Sequence, residues 1–370
     1  MNKDYIDLKR TNYTKYIIMK KILTLTLLAM SVVLTAQETE EIKEKSFTIS
    51  GSVDAYYQTY LTASDDSGQT FGTAFAGQTG FALGMGNIIA NYESGKVGAV
   101  LDLVTGPRGG DATFSNDIVD GIVNQAYAYW NVSETTTLTF GRFNTFLGYE
   151  VIAPAANFNY STSYLFSNGP FSHVGLKADF ALSDDFSLML AVMNPWDTND
   201  TSTTGEYSFG AQLGYKGQYL NLYYDSGANS GLGFEVDYTG GFDVSDNFFL
   251  GINAAYQTTS YVFDDNGDVL NDDFKNGFYG AALYPQYTLS EDFALGLRGE
   301  FFGYHAEEGE DLPSVIGATL TGSYTVDSNL IIKPEIRLDS WSNNDAAYFD
   351  ADGEDASSLA AFTLAAIYSF

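Results

Sequence analysis

Apolar and polar residues alternate with a period of two through most of the chain after Lys45. Between Ile332 and Asp339, for example, apolar residues at even positions alternate with Lys, Glu, Arg and Asp at odd positions. This alternation predicts β-strands with one apolar and one polar face. The alternating segments are roughly 9–13 residues long, whereas strands of soluble proteins average about 5–6 residues. Ten residues tilted by about 40° span about 25 Å, which is the apolar height of an outer-membrane barrel.

The segments that connect the strands fall into two classes that alternate along the chain. Short connections rich in Ser, Asp, Asn and Gly are typical of tight hairpin turns. They lie at 132–135, 182–186, 244–248, 289–293 and 326–330. Long connections lie at 64–79, 106–121, 146–170, 195–205, 260–276, 304–314 and 341–358. Alternating short turns and long loops are typical of a transmembrane β-barrel, with the turns in the periplasm and the loops outside the cell.

These patterns predict an all-β fold, namely a closed antiparallel transmembrane β-barrel of about 16 strands with short periplasmic turns and long acidic extracellular loops. Strands 2, 5 and 12 alternate poorly, so a barrel with two strands more or fewer also fits the pattern. A soluble β-sandwich or propeller would not need strands of this length. The strands are predicted to start near Phe47, Phe81, Val97, Val123, Thr136, Phe171, Phe186, Tyr207, Tyr219, Leu232, Phe248, Phe278, Phe293, Ile316, Leu330 and Ala360.

The first part of the chain has a targeting pattern instead of a strand pattern. Two lysines after Met19 precede a short apolar stretch, which predicts a secretory signal peptide at residues 19–36. We interpret residues 1–18 as a leader upstream of the true start, residues 37–46 as a short periplasmic segment and residues 47–370 as the barrel. A membrane anchor or a buried helix is the alternative, although a membrane-spanning helix needs about 20 apolar residues.

The composition restricts the function further. The chain of 370 residues has 17 Lys+Arg and 47 Asp+Glu, for a net charge of −30, so nucleic acid, which binds clustered basic residues, is not an expected partner. The absence of Cys excludes disulfides and thiolate metal sites. The two histidines are His173 and His305. His173 cannot form a catalytic dyad with the adjacent Ser172, because neighbours in a strand point to opposite faces.

We therefore expect neither an enzyme nor a cofactor. Weak binding of divalent cations by acidic loops, for example at residues 264–268, stays open, although this segment lacks the Gly and Glu of a complete calcium-binding loop.

The last predicted strand resembles the signal that the barrel-assembly machinery of the outer membrane reads. Apolar and aromatic residues occupy alternate positions up to the terminal Phe, and an ordinary last strand is the alternative. The predicted assembly signal consists of Phe362, Leu364, Tyr368 and Phe370.

Several segments are similar to outer-membrane β-barrel porins of the OmpL-like kind that is common in Bacteroidota. They are ISGSVDAYY at 49–57, NQAYAYW at 124–130, FGRFNTFLGYE at 140–150, SNGPFSHVGLK at 167–177 and VMNPW at 192–196. The resemblance covers roughly the first half of the chain after residue 36, and the second half matches in barrel pattern alone. It implies a porin-like outer-membrane channel without a catalytic motif.

Charged residues within the strands are expected to point into a water-filled lumen, because a Lys or Arg facing the middle of the bilayer costs about 2–4 kcal/mol. Paired charges that hold the wall together are the alternative role. Arg142 does not fit this rule, since it shares its phase with the apolar Phe140. The residues predicted to line the pore are Asp54, Asp102, Lys177, Asp179, Glu235, Asp237, Arg298, Glu300, Lys333, Glu335, Arg337 and Asp339.

The loop at 146–170 differs from the others, because it is apolar and aromatic and Glu150 is its one charged residue. Left in water, such a surface is unfavourable by about 25 cal/mol per Å² that could be buried. We therefore predict that the loop folds inward and narrows the pore. An exposed patch that binds a partner is the alternative. The predicted constriction residues are Tyr149, Glu150, Phe158, Tyr160, Tyr164 and Phe166.

Together these observations predict a porin of the Gram-negative outer membrane that lets small hydrophilic solutes diffuse passively and prefers cations. The competing hypothesis is an adhesion or structural barrel that binds a partner through its extracellular loops. The expected partners are small polar solutes, outer-membrane lipid and lipopolysaccharide, and the barrel-assembly machinery during insertion. The sequence leaves open whether the barrel forms oligomers.

Overall fold

The computed structural model describes residues 45–113, 120–199, 205–225, 233–263, 269–306, 312–342 and 347–370. The predicted leader, the signal peptide at 19–36 and nearly all of the segment at 37–46 lie outside the described residues, as do the acidic residues 264–268. The predictions about these segments stay predictions.

Sixteen strands form a closed antiparallel barrel, which confirms the predicted fold class. The barrel strands are β1 (Lys45–Tyr60), β2 (Gly80–Ser94), β3 (Val97–Thr105), β4 (Val123–Ser133), β5 (Thr136–Asn144), β6 (Ser172–Ala181), β7 (Phe186–Met193), β8 (Ser208–Tyr215), β9 (Gln218–Asp225), β10 (Phe234–Ser245), β11 (Phe248–Phe263), β12 (Val269–Thr288), β13 (Phe293–His305), β14 (Ser314–Asp327), β15 (Leu330–Trp341) and β18 (Ser358–Ser369). Two further strands, β16 (Tyr348–Phe349) and β17 (Asp355–Ala356), lie outside the barrel sheet. The short strands β16 and β17 form a separate hairpin, and β1 pairs with β18 to complete the ring.

One predicted strand boundary is wrong. The strand expected near Phe278 begins at Val269, and its additional residues pair with β11 as far as Phe263. The region 260–276 is therefore largely a hairpin instead of a loop. Hydrogen bonds between two strands can continue beyond the lipid, where an apolar face is no longer needed. Every other predicted start lies within two residues of the observed one.

The apolar face of the barrel points outward. On β15, the outward side chains of Ile336 and Leu338 are 48% and 47% exposed, whereas the inward Glu335 and Arg337 are 2% and 3% exposed. This arrangement gives the barrel an apolar outer surface that suits lipid and a polar inner wall.

Arg142 keeps the outward phase of Phe140 on β5, and residues of the long loops cover it. Phe140 is 69% exposed and Arg142 is 7% exposed, although both have the same phase in the strand. Gly141 between them adopts a φ of 137°, which residues with a side chain rarely do. The Arg142 guanidinium donates a 2.9 Å hydrogen bond to Oδ1 of Asn199 and a 3.4 Å hydrogen bond to the carbonyl of Thr113.

Two short helices within the long loops were not predicted from the sequence. They are α1 (Pro107–Thr113) and α2 (Tyr164–Asn168). The Ser163 hydroxyl caps α2 by accepting a 3.0 Å hydrogen bond from the N–H of Phe166. Among the described residues, no helix combines the length and apolar character that crossing a membrane requires.

Long loops pack against the inner wall. Phe166 of α2 lies in a buried cluster with Met85 of β2 and Val104 of β3. Tyr164 lies in a second buried cluster with Phe302 of β13. Loop side chains thus occupy part of the interior that a barrel of this size encloses.

A loop held inside the barrel

The lumen loop, defined here as residues 146–170, is bound to the wall by carboxylates that accept hydrogen bonds from its backbone. Glu335 on β15 accepts from the N–H groups of Tyr160 at 2.8 Å and Ser161 at 3.1 Å. Glu300 on β13 accepts from the N–H groups of Tyr164 at 2.9 Å and Leu165 at 2.8 Å. Buried N–H groups need hydrogen-bond acceptors, and these N–H groups do not bond to the backbone of a strand. The wall carboxylates therefore serve as their acceptors.

Wall cations satisfy the carbonyl groups of the same loop. The Arg298 guanidinium donates to the carbonyl of Ser161 at 2.6 Å, and the Arg337 guanidinium donates to that of Thr162 at 3.1 Å. The Lys333 ammonium donates to the carbonyl of Pro154 at 3.0 Å. The inner wall therefore provides acceptors for N–H groups of the loop backbone and donors for its carbonyl groups.

Two loop tyrosines add hydrogen bonds from their hydroxyl groups. Tyr160 donates to Oδ2 of Asp54 on β1 at 2.5 Å, and Tyr164 donates to Oδ2 of Asp339 on β15 at 2.8 Å. Burial, reinforced by the adjacent carboxylates, raises the pKa of both phenols well above the ordinary value. Both hydroxyl groups consequently keep their protons and remain donors.

Glycines in the wall make room for loop side chains. A Cβ added to Gly296 on β13 would lie 2.3 Å from the ring of Phe158, a distance that real Cβ atoms do not reach. The same relationship recurs on three other strands. The pairs of wall glycine and loop residue are Gly210 with Phe146, Gly251 with Tyr149, Gly280 with Leu165 and Gly296 with Phe158. Loop and wall are therefore complementary in shape as well as in hydrogen bonding.

The first loop, residues 61–79, covers the lumen loop from the long-loop end of the barrel. The N–H of Ala74 donates a 2.8 Å hydrogen bond to the Ser167 hydroxyl, and the Tyr164 hydroxyl lies 2.6 Å from the carbonyl oxygen of Phe71. Arg108 of α1 donates to the carbonyl of Tyr160 at 2.8 Å. These contacts were not predicted, because nothing in the local sequence of either segment indicates its partner.

The predicted constriction residues lie inside the barrel. Glu150, Tyr160, Tyr164 and Phe166 are buried, with 1–5% exposure. Tyr149 and Phe158 are partly buried. These side chains do not form an exposed patch, although their effect on permeation remains a prediction.

Most of the charged residues predicted to line the pore point inward but do not contact open water. Lys177 and Asp179 on β6 keep 27% and 41% of their side-chain surface exposed and pair at 3.2 Å. The other ten are covered by the rest of the protein, and their role in lining a pore stays a prediction. Those ten, each 4% exposed or less, are Asp54, Asp102, Glu235, Asp237, Arg298, Glu300, Lys333, Glu335, Arg337 and Asp339.

Amide side chains complete a polar network on the inner face of strands β9 to β11. Asp237 on β10 accepts hydrogen bonds from Asn221 at 2.7 Å, from Asn253 at 2.5 Å and from the N–H of Gly148 at 2.9 Å. These asparagines were not predicted, because only charged residues were expected to point into the lumen. Their inward phase in the alternation was the signal that could have found them.

A cavity of about 550 Å³ lies between the lumen loop and the short-turn ends of strands β11 to β15. Four aromatic residues line it: Tyr149, Phe158, Phe249 and Tyr284. Glu150 and Lys333 also border the cavity, together with neutral polar side chains.

Three residues of the predicted assembly signal, Phe362, Leu364 and Tyr368, lie on the outward face of β18, and Phe370 directly follows the strand. Leu364, Tyr368 and Phe370 are 42%, 46% and 55% exposed, and Phe362 is partly exposed. Phe370 exchanges backbone hydrogen bonds of 3.0 and 3.1 Å with Gly51 of β1. Recognition of this face during assembly remains a prediction.

His173 lies within the wall and is 0% exposed. Its Nε2 is 2.9 Å from the hydroxyl of Thr145, the residue directly before the lumen loop. Among the described residues, no three His, Cys, Asp or Glu side chains are placed to hold a metal ion together.

Solved structures with the same fold share little sequence with this chain. An anion-selective porin from Comamonas acidovorans has a TM-score of 0.56 at 11% identity, over 88% of this chain and 100% of that chain. OmpT of Vibrio cholerae, folded in vitro and in a trimer form, has a TM-score of 0.54 at 13% identity, over 88% of this chain and 99% of that chain. OmpF of Salmonella typhi in complex with daunomycin has a TM-score of 0.54 at 12% identity, over 88% of this chain and 97% of that chain.

No curated protein sequence matches the chain. Residues 46–370, which include the whole barrel apart from Lys45, match the family described as "Putative beta-barrel porin-2, OmpL-like". The chain therefore belongs to this family of outer-membrane β-barrel porins.

Proposed function

We propose that this porin is a passive channel for small hydrophilic solutes, with a preference for cations. The observation that carries the proposal is a closed barrel of 16 strands that is apolar outside and polar inside. Barrels of about 16–18 strands enclose an aqueous channel, whereas barrels of about 8 strands are filled by their own side chains. The short turns would face the periplasm and the long loops the cell exterior.

The cation preference rests on charge. Asp+Glu exceed Lys+Arg by 47 to 17, and carboxylates near a narrow opening concentrate cations and repel anions. The lumen loop would set the pore size, because it is bound to the inner wall through Glu300 and Glu335. No catalysis is part of the proposal.

A second candidate is a structural or adhesive barrel that does not conduct. The burial of ten inward charges and the apolar clusters formed by the loops favour it, because both reduce the water-filled cross-section. In that case the outer loops would bind a partner, and the lumen loop would stabilise the barrel.

Planar-bilayer recording of the purified protein separates the two candidates. Stable steps of open-channel current support the porin. A folded barrel that inserts into the bilayer without current would contradict the channel proposal and favour the structural one. Resistance to unfolding in cold detergent, seen as heat-modifiable migration on a gel, verifies that the silent protein is folded.

The proposed partners follow from the same orientation. The outward apolar face would contact outer-membrane lipid, acidic loops would contact lipopolysaccharide through divalent cations, and the barrel-assembly machinery would insert the chain. Because a protein of the same fold has been solved in a trimer form, we also propose that this barrel forms oligomers. Native mass spectrometry of the detergent-solubilised protein would test this proposal, and a monomer at all concentrations would contradict it.

A further inference from the structure

The cavity between the lumen loop and the short-turn ends of β11 to β15 has the size of a ligand site. Its volume of about 550 Å³ falls within the range of about 300–1,000 Å³ that is usual for small-molecule pockets. It is bordered on one side by the lumen loop and on the other by Phe249, Gln286 and Ser323 of three different strands.

The two charged residues at the cavity are already matched by the protein. Glu150 accepts a 2.8 Å hydrogen bond from Arg298 and a 2.7 Å hydrogen bond from the N–H of Ser163. The Lys333 ammonium donates to the carbonyl groups of Pro154 and Asn157. A ligand with a net charge would have to displace one of these contacts, which leaves a buried charge unpaired at considerable cost.

The other polar groups at the cavity are neutral, and aromatic rings lie among them. Gln286 and Ser323, both partly exposed, provide an amide and a hydroxyl group, each able to donate and accept hydrogen bonds. Phe158 and Phe249 provide apolar rings without a polar atom. A ligand that fits this lining has many hydroxyl groups and also apolar C–H surfaces that can pack on an aromatic ring.

We infer that this cavity binds an uncharged saccharide of about two sugar units. A sugar ring carries hydroxyl groups around its edge and C–H groups on its faces, which matches amides beside aromatic rings. The inference rests on the proposed function in one respect, since solutes reach the cavity through the porin or from its short-turn side. The inference adds that the hydrophilic solutes of the proposed channel include uncharged saccharides.

Isothermal titration calorimetry of the full chain, folded in detergent, tests the site with maltose, cellobiose and trehalose. Two charged analogues, maltobionate with a carboxylate and the diamine chitobiose, serve as size-matched probes. We expect millimolar binding of at least one neutral disaccharide and weaker binding of both analogues. Phe158→Ala and Phe249→Ala should each weaken binding by about threefold to tenfold. Phe349→Ala, at an exposed ring in the β16–β17 hairpin, should leave it unchanged.

Several outcomes would overturn the inference. They are no heat from any of the three neutral sugars, tighter binding of maltobionate than of maltose, or equal effects of Phe158→Ala and Phe349→Ala. Conductance measured on the same preparation separates this inference from the channel proposal. Current without sugar binding removes the site and keeps the porin, whereas sugar binding without current keeps the site and removes the channel.

Discussion

The guanidinium of Arg298 on the barrel wall donates a 2.8 Å hydrogen bond to Oε1 of Glu150, the one charged residue of the lumen loop. Both side chains are almost fully buried, with 2% and 3% of their side-chain surface exposed. The other bonds between Arg298 and the loop go to the carbonyl and the hydroxyl of Ser161. In this ion pair, the Glu150 side chain thus helps to hold the lumen loop against the wall.

Removing one partner of this ion pair should destabilise the barrel more than removing both. Glu150→Ala leaves the buried Arg298 charge without its hydrogen-bonded carboxylate, which costs about 3–5 kcal/mol. The double variant with Arg298→Met removes that charge and should recover most of the loss. Thermal unfolding followed by circular dichroism measures the difference. Equal stability of the single and double variants would show that the pair is not coupled.

Shortening the lumen loop should raise single-channel conductance. Deletion within residues 157–163 removes the backbone groups that Glu335 and Arg298 bind, so the loop occupies less of the lumen. Single-channel recording in planar bilayers measures the change. A deletion of residues 351–353, which lie between β16 and β17, serves as the control. Unchanged conductance combined with lost attachment to cells or a ligand would favour the adhesion hypothesis.

A methyl group at Gly296 should displace the lumen loop, whereas one at Gly299 should not. The Cβ of Gly296→Ala would lie 2.3 Å from the Phe158 ring, while a Cβ at Gly299 on the same strand meets nothing within 4 Å. Overpacking of this kind costs about 1–3 kcal/mol. Unfolding temperature and conductance should therefore change for the first variant alone. If both variants behave like the unaltered protein, Phe158 does not rest on this glycine.

The channel should prefer cations most strongly at low salt. Its net charge of −30 attracts cations to the openings, and salt screens this field over a Debye length of about 10 Å at 0.1 M. Reversal potentials across a KCl gradient measure the preference, and the ratio of cation to anion permeability should fall as the mean salt concentration rises. Anion selectivity at low salt would contradict the prediction.

Phe370 should be needed for efficient insertion into the outer membrane. Phe370 directly follows β18 and is 55% exposed, so assembly machinery can reach it. Phe370→Ala should lower the amount of folded protein in outer-membrane fractions and leave precursor in the periplasm, which immunoblotting of the fractions measures. Phe349→Ala changes another exposed phenylalanine, 46% exposed and away from the barrel seam, and serves as the control. Normal surface levels of Phe370→Ala would refute the signal.

The alternation of apolar and polar residues alone predicted the strands, because a strand between lipid and lumen needs one apolar and one polar face. On β15, the order of apolar and charged residues already assigns Ile336 to the lipid and Glu335 to the interior. The same reasoning failed where the membrane no longer constrains the sequence, as at Val269, or where loop residues cover an outward position, as at Arg142. Lipid contact is a local requirement on each residue and is therefore visible in the sequence.

The sequence by itself also determined that the lumen loop would avoid water, because its residues are apolar. Only the tertiary structure decided what covers it and what holds it. Glu335 binds the N–H of Tyr160 across 175 residues of chain, and Arg298 binds Glu150 across 148. Such pairs depend on which strands the closed barrel brings beside the loop. A hydrogen bond depends on distance in space, and that distance is fixed by the ring of strand pairings as a whole.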